Sequence, residues 1–194
     1  MRIVKLYNNR PSPYGRKVLV VAHEKSLMQR IVLVQIDPWS DPIELLAVTP
    51  IGRVPALVTD DGAVITDSTT ICEYFDAVGP GPMLMEGDRF EVMARAALAQ
   101  GLIDAAFAAV VELRRPAELR WESWVSRQHR AIARTLEMLA PAGDRFDLGD
   151  ITLASALAYL DFRLPEIAWR RAHPGLGAWL DSVSRRPSMQ VTKP

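Results

Sequence analysis

The spacing of apolar residues changes near residue 80, and the two halves of the chain predict different structures. In the first half, short apolar runs rich in β-branched residues alternate with stretches of helical spacing. Strands are predicted at Ile3–Tyr7, Ile31–Ile36, Pro55–Thr59 and Ala63–Thr66, and helices at Tyr14–Lys25, at Asp41–Ala47 and after Asp67-Ser68. The order is βαβ, then α, then ββα, and the Asp61-Gly62 turn makes the last two strands a hairpin.

The second half predicts helices only, after a break at Gly79-Pro80-Gly81-Pro82 that is typical of a linker. Helices are predicted at Asp88–Arg114, around Trp121–Leu139, at Thr152–Leu164 and at Pro174–Ser184. Pro116 suits the first turn of the second of these, and Thr152 suits the N-cap of the third. We therefore expect two domains, at residues 1–78 and 88–194, joined by a linker at residues 79–87.

Composition favours a soluble protein and argues against several function classes. The hydrophobic share of 49% and the net charge of zero are ordinary for a globular protein and offer no basic surface for nucleic acid. The apolar run after Met1-Arg2 is too short for a signal peptide, and no stretch approaches the ~18–20 apolar residues of a membrane span. Cys72 is the only cysteine and the three histidines are far apart, so we expect no metal site. These features predict a cytoplasmic protein without a nucleic-acid or membrane partner.

The turn Ser12-Pro13-Tyr14-Gly15 stands between a strand and a helix, where a thiol-redox protein would carry Cys-x-x-Cys. The N-terminus of such a helix offers free N–H groups and partial positive charge, which stabilise an anion. With Ser in the first position, the hydroxyl can donate a hydrogen bond to a thiolate that a ligand brings. From the spacing alone, the simpler interpretation is that Ser12 caps the helix.

Several motifs, in order, resemble those of serine-type glutathione S-transferases. They are Ser12–Val18 in the first loop, Pro50–Leu57 in place of N-P-x-G-x-V-P-x-L, Asp67-Ser68 at a helix start, and His173–Leu180 with Arg186-Pro187-Ser188 near the end. Gln100–Ala105 and Ala158–Arg163 are most similar to the small bacterial YibF-like members. The resemblance spans nearly the whole chain, and it implies a thioredoxin-like N-terminal domain (βαβαββα) followed by an all-helical C-terminal domain. One departure is Ser155, which lacks the carboxylate that would answer Thr152 in a capping box.

The resemblance implies a glutathione transferase that activates the thiol of glutathione for attack on a small electrophile. Glutathione would be a co-substrate, and no metal is implied. Ser12 would donate its hydrogen bond to the glutathione thiolate without itself becoming the nucleophile, and Gly15 leaves no resolving cysteine. The resemblance also implies a homodimer.

Five further residues would bind glutathione by the same resemblance. Val54, before a cis Pro55, would pair with the cysteinyl backbone, and Arg53 would meet the glycyl carboxylate. Ser68 would bind the γ-glutamyl carboxylate, and Asp67 would contact the γ-glutamyl ammonium. Simpler interpretations are a trans Pro55, a solvated Arg53 and an ordinary helix cap at Asp67 or Ser68.

Tyr14, Gln100 and Asp104 are further candidates for contact with the electrophile or with glutathione in the partner subunit. Gln100 and Asp104 are four residues apart and share one helix face, where a polar interface explains them equally well. Tyr7 is expected in the core.

Two other functions stay open at this point. One is a non-catalytic binding or regulatory protein on the same scaffold, as in relatives that resemble the stringent starvation protein, because a fold does not fix a function. The other is a glutathione-dependent isomerase that uses the same thiolate. A reductase that forms mixed disulfides usually needs a cysteine where Ser12 stands.

Overall fold

The chain forms two compact units in a computed structural model that describes residues 4–143 and 145–194. The first unit runs to Leu84 and also includes Pro187–Pro194, and the second is Met85–Arg186. These limits differ from the predicted domains, because residues 79–84 and 187–194 pack with the first unit.

The first unit is built on a four-stranded sheet of order β2-β1-β3-β4. Its elements are β1 (Val4–Asn8), α1 (Pro13–Glu24), β2 (Ile31–Gln35), α2 (Ile43–Leu46), β3 (Ala56–Val58), β4 (Val64–Ile65) and α3 (Ser68–Val78). β1 is parallel to β2 and antiparallel to β3, and β3 is antiparallel to β4. This order confirms the predicted βαβαββα arrangement, although Ile3 of the first predicted strand lies outside the described residues.

The core of the first unit lies where the apolar spacing placed it. Val18 and Val21 of α1 are buried, and so are Ile71 and Phe75 of α3, which packs against α1. Cys72 is buried beside them as a small core residue, as the sequence predicted. The apolar faces of α1 and α3 therefore hold the starts of both helices in fixed positions on the sheet.

A buried ion pair joins the segment after α3 to the first unit. Lys25 Nζ lies 3.0 Å from Asp76 Oδ1, and both side chains are almost completely buried. Lys25 also donates to the carbonyl of Pro82 at 2.9 Å, and the Leu84 N–H donates to Asp76 Oδ1 at 2.9 Å. The segment 79–84 is thus tied to α1 and α3 and is not a free linker.

Residues 187–194 also pack on α1. A short helix, α9 (Pro187–Val191), contacts α1, and Ser188 Oγ donates to a carboxylate oxygen of Glu24. The Arg16 guanidinium donates to the carbonyl of the buried Met189 at 3.3 Å. These contacts explain why this segment belongs to the first unit.

The second unit consists of helices, with two helices that pack against a long first one. Its elements are α4 (Arg89–Leu113), α5 (Glu122–Met138), α6 (Leu148–Arg163), α7 (Trp169–Ala172) and α8 (Pro174–Val183). By length and composition alone α4 could span a membrane, which the sequence prediction had denied for every stretch. It packs against α5 and α6, and core helices of soluble proteins pass the same test.

The predicted cap of α6 is wrong. The helix begins four residues earlier than Thr152, because Asp147 is its N-cap and accepts from the Asp150 N–H at 3.1 Å. Arg95 of α4 contacts both carboxylates, which stabilises this earlier start. The Thr152 hydroxyl instead lies inside the helix and donates to the Leu148 carbonyl at 2.7 Å.

Pro116 also falls elsewhere than predicted. It precedes a short 3₁₀ turn at Ala117–Leu119, and α5 begins only at Glu122. The Trp121 N–H donates to Glu112 Oε1 at 2.8 Å, which gives the region before α5 a hydrogen bond to the end of α4.

Replacing Asp76 by Ala should lower the free energy of unfolding of the first unit by about 3–5 kcal/mol, because it leaves the buried Lys25 ammonium without its carboxylate. Denaturant unfolding measures this loss. Asp181→Ala is the matched control, since Asp181 forms a 3.0 Å ion pair with Arg170 but is 64% exposed. The control should cost only a small fraction of that loss, and equal losses in the two variants would contradict the prediction.

Candidate functional site

Ser12 caps α1 at the end of the loop that follows β1. Its N–H donates to the Asn9 carbonyl at 2.9 Å, its backbone is extended, and Pro13 occupies the first helical position. Its Oγ accepts from the Gly15 N–H at 3.2 Å. Proline suits that first position because its missing N–H would have no helical partner there. The sequence therefore starts the helix sharply, with the Ser12 side chain at its positive end.

The cap leaves the hydroxyl able to donate. A serine hydroxyl has two acceptor lone pairs and one hydrogen, and the Gly15 bond uses one lone pair. Accepting one hydrogen bond also polarises the O–H group as a donor. Capping and thiolate binding are therefore compatible functions of Ser12, although the sequence had presented them as alternatives.

Gly15 is required by a close approach from the strand below. A Cβ atom at this position would overlap the side-chain oxygen of Asn8, the last residue of β1. Asn8 is buried, and its side-chain amide has no hydrogen-bond partner within the described residues. A cysteine at position 15 would meet the same obstacle, so the loop is shaped against a second redox cysteine.

Arg16 places a buried positive charge in the first turn of α1. Its guanidinium donates to the Met189 carbonyl, and burial lowers the pKa of Arg16 to about 10. The side chain is thus still charged at neutral pH. The sequence gave no reason to expect this, because the acceptor lies 173 residues away.

The Val54–Pro55 peptide bond is cis, as the resemblance implied. Pro55 is buried directly before β3, and Val54 packs against a cluster of Tyr7, Leu45 and Ala56. Arg53 is exposed beside them. The local shape expected for a glutathione backbone contact is therefore present, and the contact itself stays a prediction.

Asp67 caps α3, and Ser68 occupies its first helical position. Asp67 Oδ1 accepts from the Thr69 N–H at 2.8 Å and the Thr70 N–H at 3.0 Å. Ser68 is only 4% exposed, and its hydroxyl has no hydrogen-bond partner within residues 4–143 and 145–194. The simple cap interpretation thus fits Asp67, while Ser68 offers a free hydroxyl at the helix start.

A buried lysine connects these two helix starts. Lys17 of α1 is 1% exposed, and its Nζ donates to Thr69 Oγ1 at 3.1 Å. Sequence reasoning did not single it out, although a lysine directly before the buried Val18 on an apolar helix was the available signal.

Tyr7 is a core residue, as predicted. It is 4% exposed, and burial raises the pKa of its phenol, with a smaller contribution from the charge of Glu44. The phenol is thus protonated at neutral pH. Tyr14 is half-buried in the first turn of α1. Gln100 and Asp104 belong to α4 in the second unit, where Gln100 Nε2 donates to Asp104 Oδ1 at 3.1 Å.

Family models match both units of the chain. The N-terminal domain of glutathione S-transferase matches residues 11–78, and the C-terminal domain of glutathione S-transferase matches residues 93–182. An uncharacterised GST-like protein of Escherichia coli, YibF, is 30% identical over 98% of both chains. This chain belongs to the glutathione S-transferase family.

Solved structures of the family are similar over the full length. A glutathione transferase family member from Pseudomonas fluorescens, with bound glutathione, has a TM-score of 0.92 and 39% identity, with 98% of each chain covered. A glutathione S-transferase from Methylobacillus flagellatus with glutathione bound has a TM-score of 0.90 and 31% identity, and covers 98% of this chain and 99% of that one. The glutathione S-transferase fold, with a thioredoxin-like first domain and a helical second domain, is therefore established for this chain.

Gly15→Ala should destabilise the protein by about 1–3 kcal/mol, because the new methyl group must displace the Asn8 side chain. The second change Asn8→Ala should restore part of that loss, which a double-mutant cycle of denaturant unfolding measures. Gly101→Ala is the control, because nothing lies within 4 Å of a Cβ added there on α4. A Gly15→Ala loss that Asn8→Ala leaves unrelieved would show that the overlap is not its cause.

Proposed function

We propose that the protein is a glutathione transferase in which Ser12 stabilises the glutathione thiolate for attack on a small electrophile. The observation that carries this proposal is the cap of α1. The Ser12 hydroxyl accepts from the Gly15 N–H, keeps its own hydrogen for a ligand, and stands at a helix N-terminus next to the buried charge of Arg16.

The energetic requirement is modest. A thiol with an unperturbed pKa of about 8.5 is only a few per cent ionised at neutral pH. Each ~1.4 kcal/mol of preferential stabilisation of the thiolate lowers that pKa by about one unit. A hydrogen bond to a charged acceptor contributes roughly 1.5–3 kcal/mol, so one bond from Ser12 is enough to make the thiolate the main species.

The remaining contacts follow the tripeptide along the first unit. The backbone of Val54 before the cis bond pairs with the cysteinyl residue, and Arg53 meets the glycyl carboxylate. The Ser68 hydroxyl and amide bind the γ-glutamyl carboxylate, and Asp67 contacts the γ-glutamyl ammonium through the oxygen that the cap leaves. The glutathione-bound relatives support this assignment of the ligand.

In the reaction, the thiol proton leaves to solvent and the thiolate sulfur forms a bond to an electrophilic carbon. In a substitution the leaving group departs with its electron pair, and in an addition the substrate takes up a proton. Tyr14, Gln100 and Asp104 are proposed as contacts with the electrophile or with a partner subunit. A homodimer, a cytoplasmic location and a bacterial origin are part of the same proposal.

Retention on immobilised glutathione and thiol consumption with a panel of electrophiles test the overall function. Retention with consumption supports a transferase. Retention without consumption indicates a binding protein, and turnover of an unsaturated substrate without net thiol loss indicates an isomerase.

Ser12→Ala should raise the apparent pKa of bound glutathione by about one to two units, because the thiolate loses one charge-assisted hydrogen bond. Ultraviolet absorbance of the thiolate against pH measures this shift. Ser12→Thr keeps the hydroxyl and should stay near the wild-type curve.

A control for loss of a helix cap is Asp88→Ala, since Asp88 caps α4 through the Phe90 and Glu91 N–H groups. It should lower stability without moving the thiol titration. A Ser12→Ala curve that overlays the wild-type curve would remove Ser12 from the mechanism.

Ser68→Ala should weaken glutathione binding by about tenfold to one hundredfold, because a bond to a carboxylate is worth roughly 1.5–3 kcal/mol. Calorimetric Kd and steady-state kcat with any accepted electrophile separate binding from chemistry. Ser126→Ala, on an exposed turn of α5, is the control. A reduced kcat with an unchanged Kd is the result that would contradict a binding role for Ser68.

A further inference from the structure

Two lysines near α1 are almost completely buried, and only one of them is explained by the fold alone. Lys25 is 0% exposed and pairs with Asp76, which ties the segment after α3 to the first unit. Lys17 is 1% exposed and reaches Thr69 Oγ1, in the first turn of α3.

The position of the Lys17 ammonium is electrostatically unusual. The N-terminus of a helix carries partial positive charge and favours anions, so a cation there is unfavourable unless negative charge compensates it. Burial of an ammonium adds a desolvation cost. The nearest cap carboxylate, Asp67, already accepts from two main-chain N–H groups through Oδ1. The start of α3 therefore concentrates positive potential.

The charge of Lys17 acts along the first turns of α3. Burial raises the pKa of the Cys72 thiol to about 12, and the positive charge of Lys17 opposes that rise. Cys72 lies one turn beyond Ser68, so the same ammonium acts on both sides of Thr69. Ser68 itself is 4% exposed and has a hydroxyl without a hydrogen-bond partner within the described residues.

We propose that Lys17 is a positioning residue that selects ligands carrying a carboxylate at the γ-glutamyl end. Its ammonium anchors Thr69, which fixes the first turn of α3 and directs the Ser68 hydroxyl and amide at the ligand. Its charge makes that position favourable for an anion. This inference rests on the proposed function, because it concerns the same glutathione site.

The proposal makes Lys17 a specificity residue and not only a link between two helices. A link would support every ligand equally. A selector of carboxylates supports glutathione and contributes little to an analogue that lacks the γ-glutamyl α-carboxylate, γ-aminobutyryl-cysteinyl-glycine.

The experiment is a cycle of two ligands and two proteins, measured by calorimetric Kd on the folded full chain. We expect Lys17→Met to weaken glutathione binding about tenfold or more, the loss typical for a charge-assisted interaction, and to leave the analogue within about twofold. Lys17→Arg keeps the charge and should recover most of the loss. Lys25→Met, which removes an equally buried lysine, should lower stability and keep the wild-type preference for glutathione.

Thr69→Val gives a second test if Lys17→Met does not fold, because it removes the acceptor and keeps the shape. It should weaken glutathione several-fold and spare the analogue. Equal weakening of both ligands, or of neither, in these variants would overturn the selector role while glutathione binding by the wild type still stands. Failure of the wild type to bind either ligand would overturn the proposed function, and this inference with it.

Discussion

The hydrogen bond from the Gly15 N–H to Ser12 Oγ is the contact on which the candidate site depends. It ends the loop after β1, begins α1, and fixes the hydroxyl at the positive end of that helix. The bond forms because Gly15 lies directly over the buried Asn8, where a side chain would not fit. Loss of either residue type would change the geometry of the cap as well as its chemistry.

Three cations along α1 are buried, and their partners differ. Lys25 faces a carboxylate, so its charge is largely cancelled within the fold. Arg16 donates to a main-chain carbonyl, which satisfies an N–H group without cancelling the charge. The helix is therefore neutralised at its end and remains positive at its start, beside Ser12. That asymmetry suits a ligand that is an anion when it reacts.

Much of the fold could be predicted from the sequence, because apolar spacing and Gly-Pro breaks are local signals. The strand and helix order of the first unit and the burial of Tyr7 both followed from it. The start of α6 could not, since the choice of Asp147 over Thr152 as cap depends on Arg95, 52 residues away in the sequence. Arg16 and Lys17 were missed for the same reason: their acceptors are distant, and a charged residue on a helix is usually solvated.

The packing of residues 187–194 on α1 makes the first unit discontinuous along the chain. On the ribosome, α1 is made early, and the carbonyl that accepts from Arg16 follows 173 residues later. Until then the guanidinium stays hydrated and the surface of α1 that α9 covers stays open to solvent. The helix that carries the thiol site thus acquires its final environment only after the whole second unit has been translated.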